Sequence, residues 1–201
     1  MSVNVSAREF EHPNYVEELG RAIQKMGITP GRLALEMTES GLIPNAEDAA
    51  DRMHAIRKLG VALLIDDFGT GYSSLAYLQR FPVTALKIAR EFVDIAPDQP
   101  GGWGLPAAII AMAKTLNLDV IAEGVEDETQ LQRLRELGCE QAQGFLLARP
   151  MPALELEAAI RSGVLTRGVL GAHARAVVAK HLHPPARTPL GYAPAHHSVL
   201  P

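Results

Sequence analysis

Apolar positions in this chain follow two alternating rhythms. Short β-prone runs occur at 3–5, 33–37, 61–65, 85–88, 120–122 and 141–146. Longer stretches with helical spacing separate them: 15–26, 46–59, 73–78, 106–116, 128–137 and, last, 153–161. In the first of these, Val16, Leu19, Ile23 and Met26 recur every three or four residues, which predicts one buried helical stripe. Gly27, Gly60 and Gly138 each follow an apolar residue that closes a helical stretch, the position of a left-handed C-cap. Six strand–helix units result.

Alternation of this kind predicts an α/β fold with a parallel sheet, because parallel strands need a crossover and a helix supplies it. An open doubly wound sheet would place a glycine-rich phosphate loop after the first strand, and none stands there. Polar residues instead end nearly every strand, as in a TIM-type βα barrel, whose site is built from the C-terminal ends of several strands. Eight units close such a barrel, so six predict an incomplete one. The domain is expected over 1–165 and a C-terminal extension over 166–201. Within that extension 172–180 has the pattern of a short helix. Prolines 184, 185, 189, 194 and 201 predict disorder from about 182 onward.

Composition narrows the class. With 47% hydrophobic and 21% charged residues, the chain can bury the core of one ordinary domain. Cys139 is the single cysteine, so no internal disulfide forms and a reduced, cytoplasmic setting is expected. No apolar run approaches the ~20 residues of a membrane-spanning helix, although a longer protein could be membrane-anchored through upstream segments. The net charge of −4 gives no electrostatic reason to expect binding of DNA or RNA polymers.

Reading strand ends in order gives Asn4, Glu36, Asp66 with Asp67, Lys87, Glu123 and Gln143. Gathering four carboxylates is costly without a cation, since like charges a few ångströms apart oppose joint ionisation. Hard oxygen ligands suit magnesium or manganese. Asp66 and Asp67 are adjacent, so in a regular strand they would point to opposite faces. The chain is therefore expected to turn there, on a loop eased by Gly69 and Gly71, with Ser73 capping the next helix. Paired aspartates of this kind suit a two-metal site acting on a phosphodiester.

SVNVSAREF, LALEMTES, DDFGTGYSSLAYL, LKIAREFV, IAEGVE and QGFLLARPMP resemble, in order and spacing, the successive motifs of the EAL domain family. The resemblance spans roughly residues 2–160. It implies a modified TIM barrel that hydrolyses cyclic di-GMP to the linear dinucleotide pGpG with magnesium or manganese. By that resemblance Asn4, Glu36 and Asp66 would bind one ion, and Asp66 with Asp67 the other. Lys87 would sit beside the nucleophilic water; a general-base role for it would require a lowered pKa. Glu123 and Gln143 would complete the catalytic set. Glu39 would steady the DDFGTG loop, and Glu126 would support the site from behind. No residue is assigned to substrate binding.

Two departures bear on activity. The family's opening strands, with the Glu-Ala-Leu-Leu-Arg segment that provides a metal-binding glutamate and a phosphate-side arginine, have no counterpart in the 201 residues. LKIAREFV also carries Ala89 where the family usually has an aspartate. An impaired phosphodiesterase is therefore expected, with a degenerate cyclic di-GMP receptor or protein-interaction module as the alternative. Expected partners are cyclic di-GMP, upstream GGDEF or sensory domains, and a second copy through the uncovered first strand.

Overall fold

The computed structural model describes residues 1–42, 46–71, 75–95 and 102–163. The expected cap at Ser73, the short helix at 172–180, the disorder from 182 and the domain boundary at 165 lie outside the described residues. Six parallel strands form one sheet in strictly sequential order: β1 Ser2–Asn4, β2 Ala34–Thr38, β3 Ala62–Phe68, β4 Ala85–Ile88, β5 Asp119–Ala122 and β6 Gln141–Ala142. With helices in the crossovers, this is an incomplete TIM-type barrel. Among the described residues β1 and β6 are its two edges.

The crossovers are α2 Tyr15–Met26, α4 Ala46–Lys58, α5 Leu75–Arg80, α7 Gly104–Thr115 and α8 Glu128–Leu137, with α9 Ala153–Ser162 after β6. Gly27 (φ 62°) and Gly138 (φ 79°) end α2 and α8 in the left-handed conformation that a side chain resists. An Asp127–Gln130 capping box starts α8.

Strand alternation divides labour between two faces. Leu35 and Met37 of β2, Leu63 and Ile65 of β3, and Leu86 and Ile88 of β4 join the core with Met53 and Ile56 of α4 and Ile109 and Ile110 of α7. Full burial of each such side chain contributes about 1.5–3 kcal/mol. The intervening positions Glu36, Asp66 and Lys87 lie on the other face. No helix among the described residues is long and apolar enough to cross a membrane.

Three short helices escape periodicity analysis: α1 Ala7–Phe10, α3 Glu39–Leu42 and α6 Arg90–Val93. Each lies just beyond the C-terminal end of a strand. The expected strand at 141–146 is shorter, because after Ala142 the chain leaves the ladder and turns.

Candidate active site at the carboxyl ends of the strands

The ends of β1 to β6 bring most of the expected residues to one place. Glu36 lies mid-way along β2, opposite Asn4 at the end of β1 in the parallel register. Lys87 lies one residue before the end of β4, and Glu123 follows β5 directly. The Glu123 amide donates to the Ile88 carbonyl at 3.1 Å, so the sheet's hydrogen bonding fixes its backbone.

Asp66 and Asp67 sit inside β3, not on a loop after it. The strand bulges: Ile65 pairs with Leu86 and Phe68 with Ile88, so three steps along β3 match two along β4. Asp67 takes a positive φ of 51°, a conformation that aspartate tolerates better than most residues. The expected break in the face alternation is thus a bulge, and the pairing continues through it. Buried Glu39, the first residue of α3, accepts from the Gly69 amide at 3.1 Å. A methyl on Gly71 would stand 3.0 Å from the same carboxylate, so the glycine permits that approach.

Lys87 is the electrostatic centre. Its side chain is 4% exposed, and Nζ lies 2.5 Å from Glu123, 2.6 Å from Glu36 and 3.0 Å from Asp66. Burial on its own pulls an ammonium's pKa down. Here the bonds from Glu123, Glu36 and Asp66 outweigh it, and Lys87 is held above its ordinary value. It is a fixed cation and a poor proton acceptor. Burial pushes Glu123 up, and the Asp66 and Glu36 charges add to that, against the opposing pull of Lys87. Lys87 moves up because three carboxylates share its ammonium, and Glu123 moves up because its burial outweighs the pull of Lys87.

Carboxylate oxygens of Asp66, Asp67 and Glu123 gather within 4.8 Å of one another. Counting Glu36, four carboxylates face one ammonium, a formal charge of −3. Hard oxygen donors with uncompensated negative charge fit a divalent cation of the magnesium, manganese or calcium type. Asn4 and Gln143 are exposed. The Gln143 backbone is locked by its amide to the Ala122 carbonyl at 2.8 Å and by its carbonyl to the Val125 amide at 3.1 Å. Glu126 pairs with Arg90 at 2.8 Å. Ala89, buried, occupies the N-cap position of α6 with no side-chain oxygen to offer its first turn.

Sequence reasoning assigned nothing to Arg90. The relevant sign in the sequence is Gly124, between Glu123 and Val125: its φ of 68° and the absence of a side chain let the Arg90 stem lie across it.

The EAL domain family model matches residues 1–150. The chain is similar to the bifunctional diguanylate cyclase/cyclic di-GMP phosphodiesterase MucR of Pseudomonas aeruginosa, at 42% identity over 160 residues, covering 80% of this chain and 23% of that one. It is 44% identical over 162 residues to the cyclic di-GMP phosphodiesterase NbdA of the same species, covering 81% and 21%. It thus spans about a fifth of the length of these curated relatives. A solved structure of the MucR phosphodiesterase in complex with c-di-GMP superposes with a TM-score of 0.75 at 43% identity, covering 77% of this chain and 63% of that one. The manganese/cyclic di-GMP complex of Klebsiella pneumoniae BlrP1 superposes with a TM-score of 0.67 at 31% identity, covering 74% and 38%. Sequential parallel strands, acids at their carboxyl ends and a match across 150 residues lead to one family: the chain belongs to the EAL domains.

Proposed function

We propose that this chain is the metal-binding catalytic lobe of a cyclic di-GMP phosphodiesterase that releases linear pGpG. The observation that carries the reading is the buried Lys87 ammonium held by Glu36, Asp66 and Glu123 with Asp67 beside them. Asn4, Glu36 and Asp66 would hold one magnesium or manganese ion, and Asp66 with Asp67 a second. Such a pair supplies an activated water and a clamp on the attacking and leaving oxygens of a phosphodiester.

This chain's own residues do the rest. Lys87, a permanent cation here, orients the water and offsets charge developing on the phosphate. Glu123, whose raised pKa makes it the better proton acceptor, takes the water's proton on a carboxylate oxygen. Gln143 offers an amide at the neighbouring strand end. Glu39 holds the β3 bulge through Gly69, and Glu126 supports the site from behind only by aiming Arg90, with which it pairs. Cyclic di-GMP is the substrate in this reading, upstream GGDEF or sensory domains supply the input, and a second copy of the chain is a further partner.

A second reading is favoured by Ala89. A buried methyl two residues from Lys87 leaves that corner without a further carboxylate, which suits a receptor that binds cyclic di-GMP without turnover. One assay separates the two: cyclic di-GMP binding and pGpG formation with manganese, for the parent and Glu123→Gln. Slow pGpG formation lost in the variant supports the enzyme. Binding without pGpG supports the receptor, and no binding of either metal or dinucleotide sinks both.

A further inference from the structure

The helix α6 stands between the two acid-bearing turns and touches both. On one side, a methyl on Gly69, directly after the β3 bulge, would lie 3.1 Å from the Phe92 ring. On the other, the stem of Arg90 crosses Gly124, where an added Cβ would fall 2.3 Å from Arg90 Cγ and 2.7 Å from its Cβ. Beyond Gly124, the Arg90 guanidinium reaches Glu126 at 2.8 Å. The stretch from Glu123 to Glu126 is therefore spanned by one side chain from another strand–helix unit.

That stretch is otherwise tied at its two ends and at Val125, whose amide donates to the Gln143 carbonyl at 3.1 Å and whose carbonyl accepts from the Leu146 amide at 3.0 Å. Downstream, the capping box of α8 takes over: the Glu126 and Asp127 amides donate to Gln130 Oε1 at 2.7 and 3.3 Å. Upstream, Glu123 is anchored by its amide to Ile88. Gly124, at φ 68°, is the left-handed joint between these anchors, and Val125 beyond it packs with no exposed surface against the Gly144 backbone. Glycine has the widest backbone freedom of any residue, so the direction the chain takes through it is set by what surrounds it.

We propose that Arg90 is a positioning residue: its aliphatic stem covers the Gly124 joint and fixes the direction in which Glu123 presents its carboxylate to Lys87 and the acidic cluster. The stem does this, and the ion pair only aims it. With side chains 55% and 41% exposed, the Arg90–Glu126 pair is a surface pair, the kind that contributes little stability by itself. The role assigned to Glu123 rests on the phosphodiesterase reading above; the cover over the joint does not.

The test is a series that shortens the stem: Arg90→Met, Arg90→Val and Arg90→Ala, with Glu126→Gln removing the pair alone. Hydrogen exchange resolved by residue reads the Glu123 and Val125 amides, with Cys139, whose amide caps α8, as an internal reference. Expected are parent-like protection in Arg90→Met and Glu126→Gln, and exchange of Val125 that is faster by about tenfold in Arg90→Ala, with Arg90→Val between, while Cys139 is unchanged. A manganese titration followed by electron paramagnetic resonance supplies the second readout. Arg90→Met should bind as the parent does, and Arg90→Ala about fivefold or more weakly.

Protection that does not track stem length overturns the proposal, as does exchange that tracks it while manganese affinity in Arg90→Ala stays at the parent's value. Failure of Arg90→Ala to fold leaves the Met and Val steps to decide the trend. A parent that binds no manganese counts against the metal site, and the exchange series then decides the role of Arg90 by itself.

Discussion

Replacing Lys87 with methionine isolates the charge at the centre of the site. Methionine keeps most of the stem and volume, and a volume-conserving swap on packing grounds alone costs under about 1.5 kcal/mol. Charge is another matter. The side chains of Lys87, Glu36, Asp66 and Glu123 are 4%, 7%, 15% and 18% exposed, so solvent screens the remaining carboxylates poorly. Removing one partner of a buried ion pair destabilises by about 3–5 kcal/mol, a large share of the roughly 5–15 kcal/mol that stabilises an ordinary domain. The pH dependence follows from the same charges. Carboxylates crowded without the ammonium hold their protons to higher pH in the folded state than in the unfolded one. The variant's stability is therefore nearest the parent's at low pH, and the deficit grows as pH rises through the folded-state values. Divalent metal should recover part of it by binding the folded state. Urea unfolding of parent and variant at two pH values, with and without manganese, measures all of this. A loss of less than about 1 kcal/mol, or one indifferent to pH and to manganese, would refute the reasoning and reduce Lys87 to a packed stem.

Three further outcomes are expected. Burial holds Glu123 above its ordinary value of 4.5, and a group raised in the folded state loses its stabilising contribution as pH rises through that value. The stability of the parent relative to Glu123→Gln should then fall in urea titrations as pH rises above 4.5 and through the raised folded-state value; a flat difference contradicts the assignment. Glu39→Ala strands the Gly69 amide and should cost about 1–3 kcal/mol, while Glu39→Gln, which keeps an acceptor, stays near the parent in thermal unfolding; equal losses would assign the effect to burial and not to the bond. Cys139 is buried with its thiol pushed up by that burial, so iodoacetamide should label it far more slowly in the folded chain than in urea.

Much of this architecture is legible from residue order because the local cues are redundant. α2 and α8 carry both a continuous apolar stripe and a glycine C-cap, and the structure reproduces Tyr15–Met26 and Glu128–Leu137 as the pattern predicts. The β4 strand is likewise found at Ala85–Ile88. Features that depend on contacts between distant residues are harder to read. Adjacent Asp66 and Asp67 require an irregular backbone, but the form it takes, a bulge carried through to Phe68, depends on how β4 pairs beside it. The four-residue helices α1, α3 and α6 are too short to establish a period. β6 stops at Ala142 since Gly144 must approach the Val125 backbone, a contact that nothing near Gly144 in the sequence announces. The same holds for Arg90, which meets Gly124 and Glu126 from a different strand–helix unit.

The claim on which the rest depends is that the acids at the carboxyl ends of β2, β3 and β5 form a divalent metal site. Calorimetric titration of manganese into the parent and into Asp66→Asn tests it most directly, because Asp66 both contacts Lys87 and belongs to the three-carboxylate cluster. Saturable binding by the parent that weakens about tenfold or more in Asp66→Asn, a loss of about 1.4 kcal/mol or greater, is the expected result. Equal affinity in the two proteins, or no binding by the parent, would contradict it.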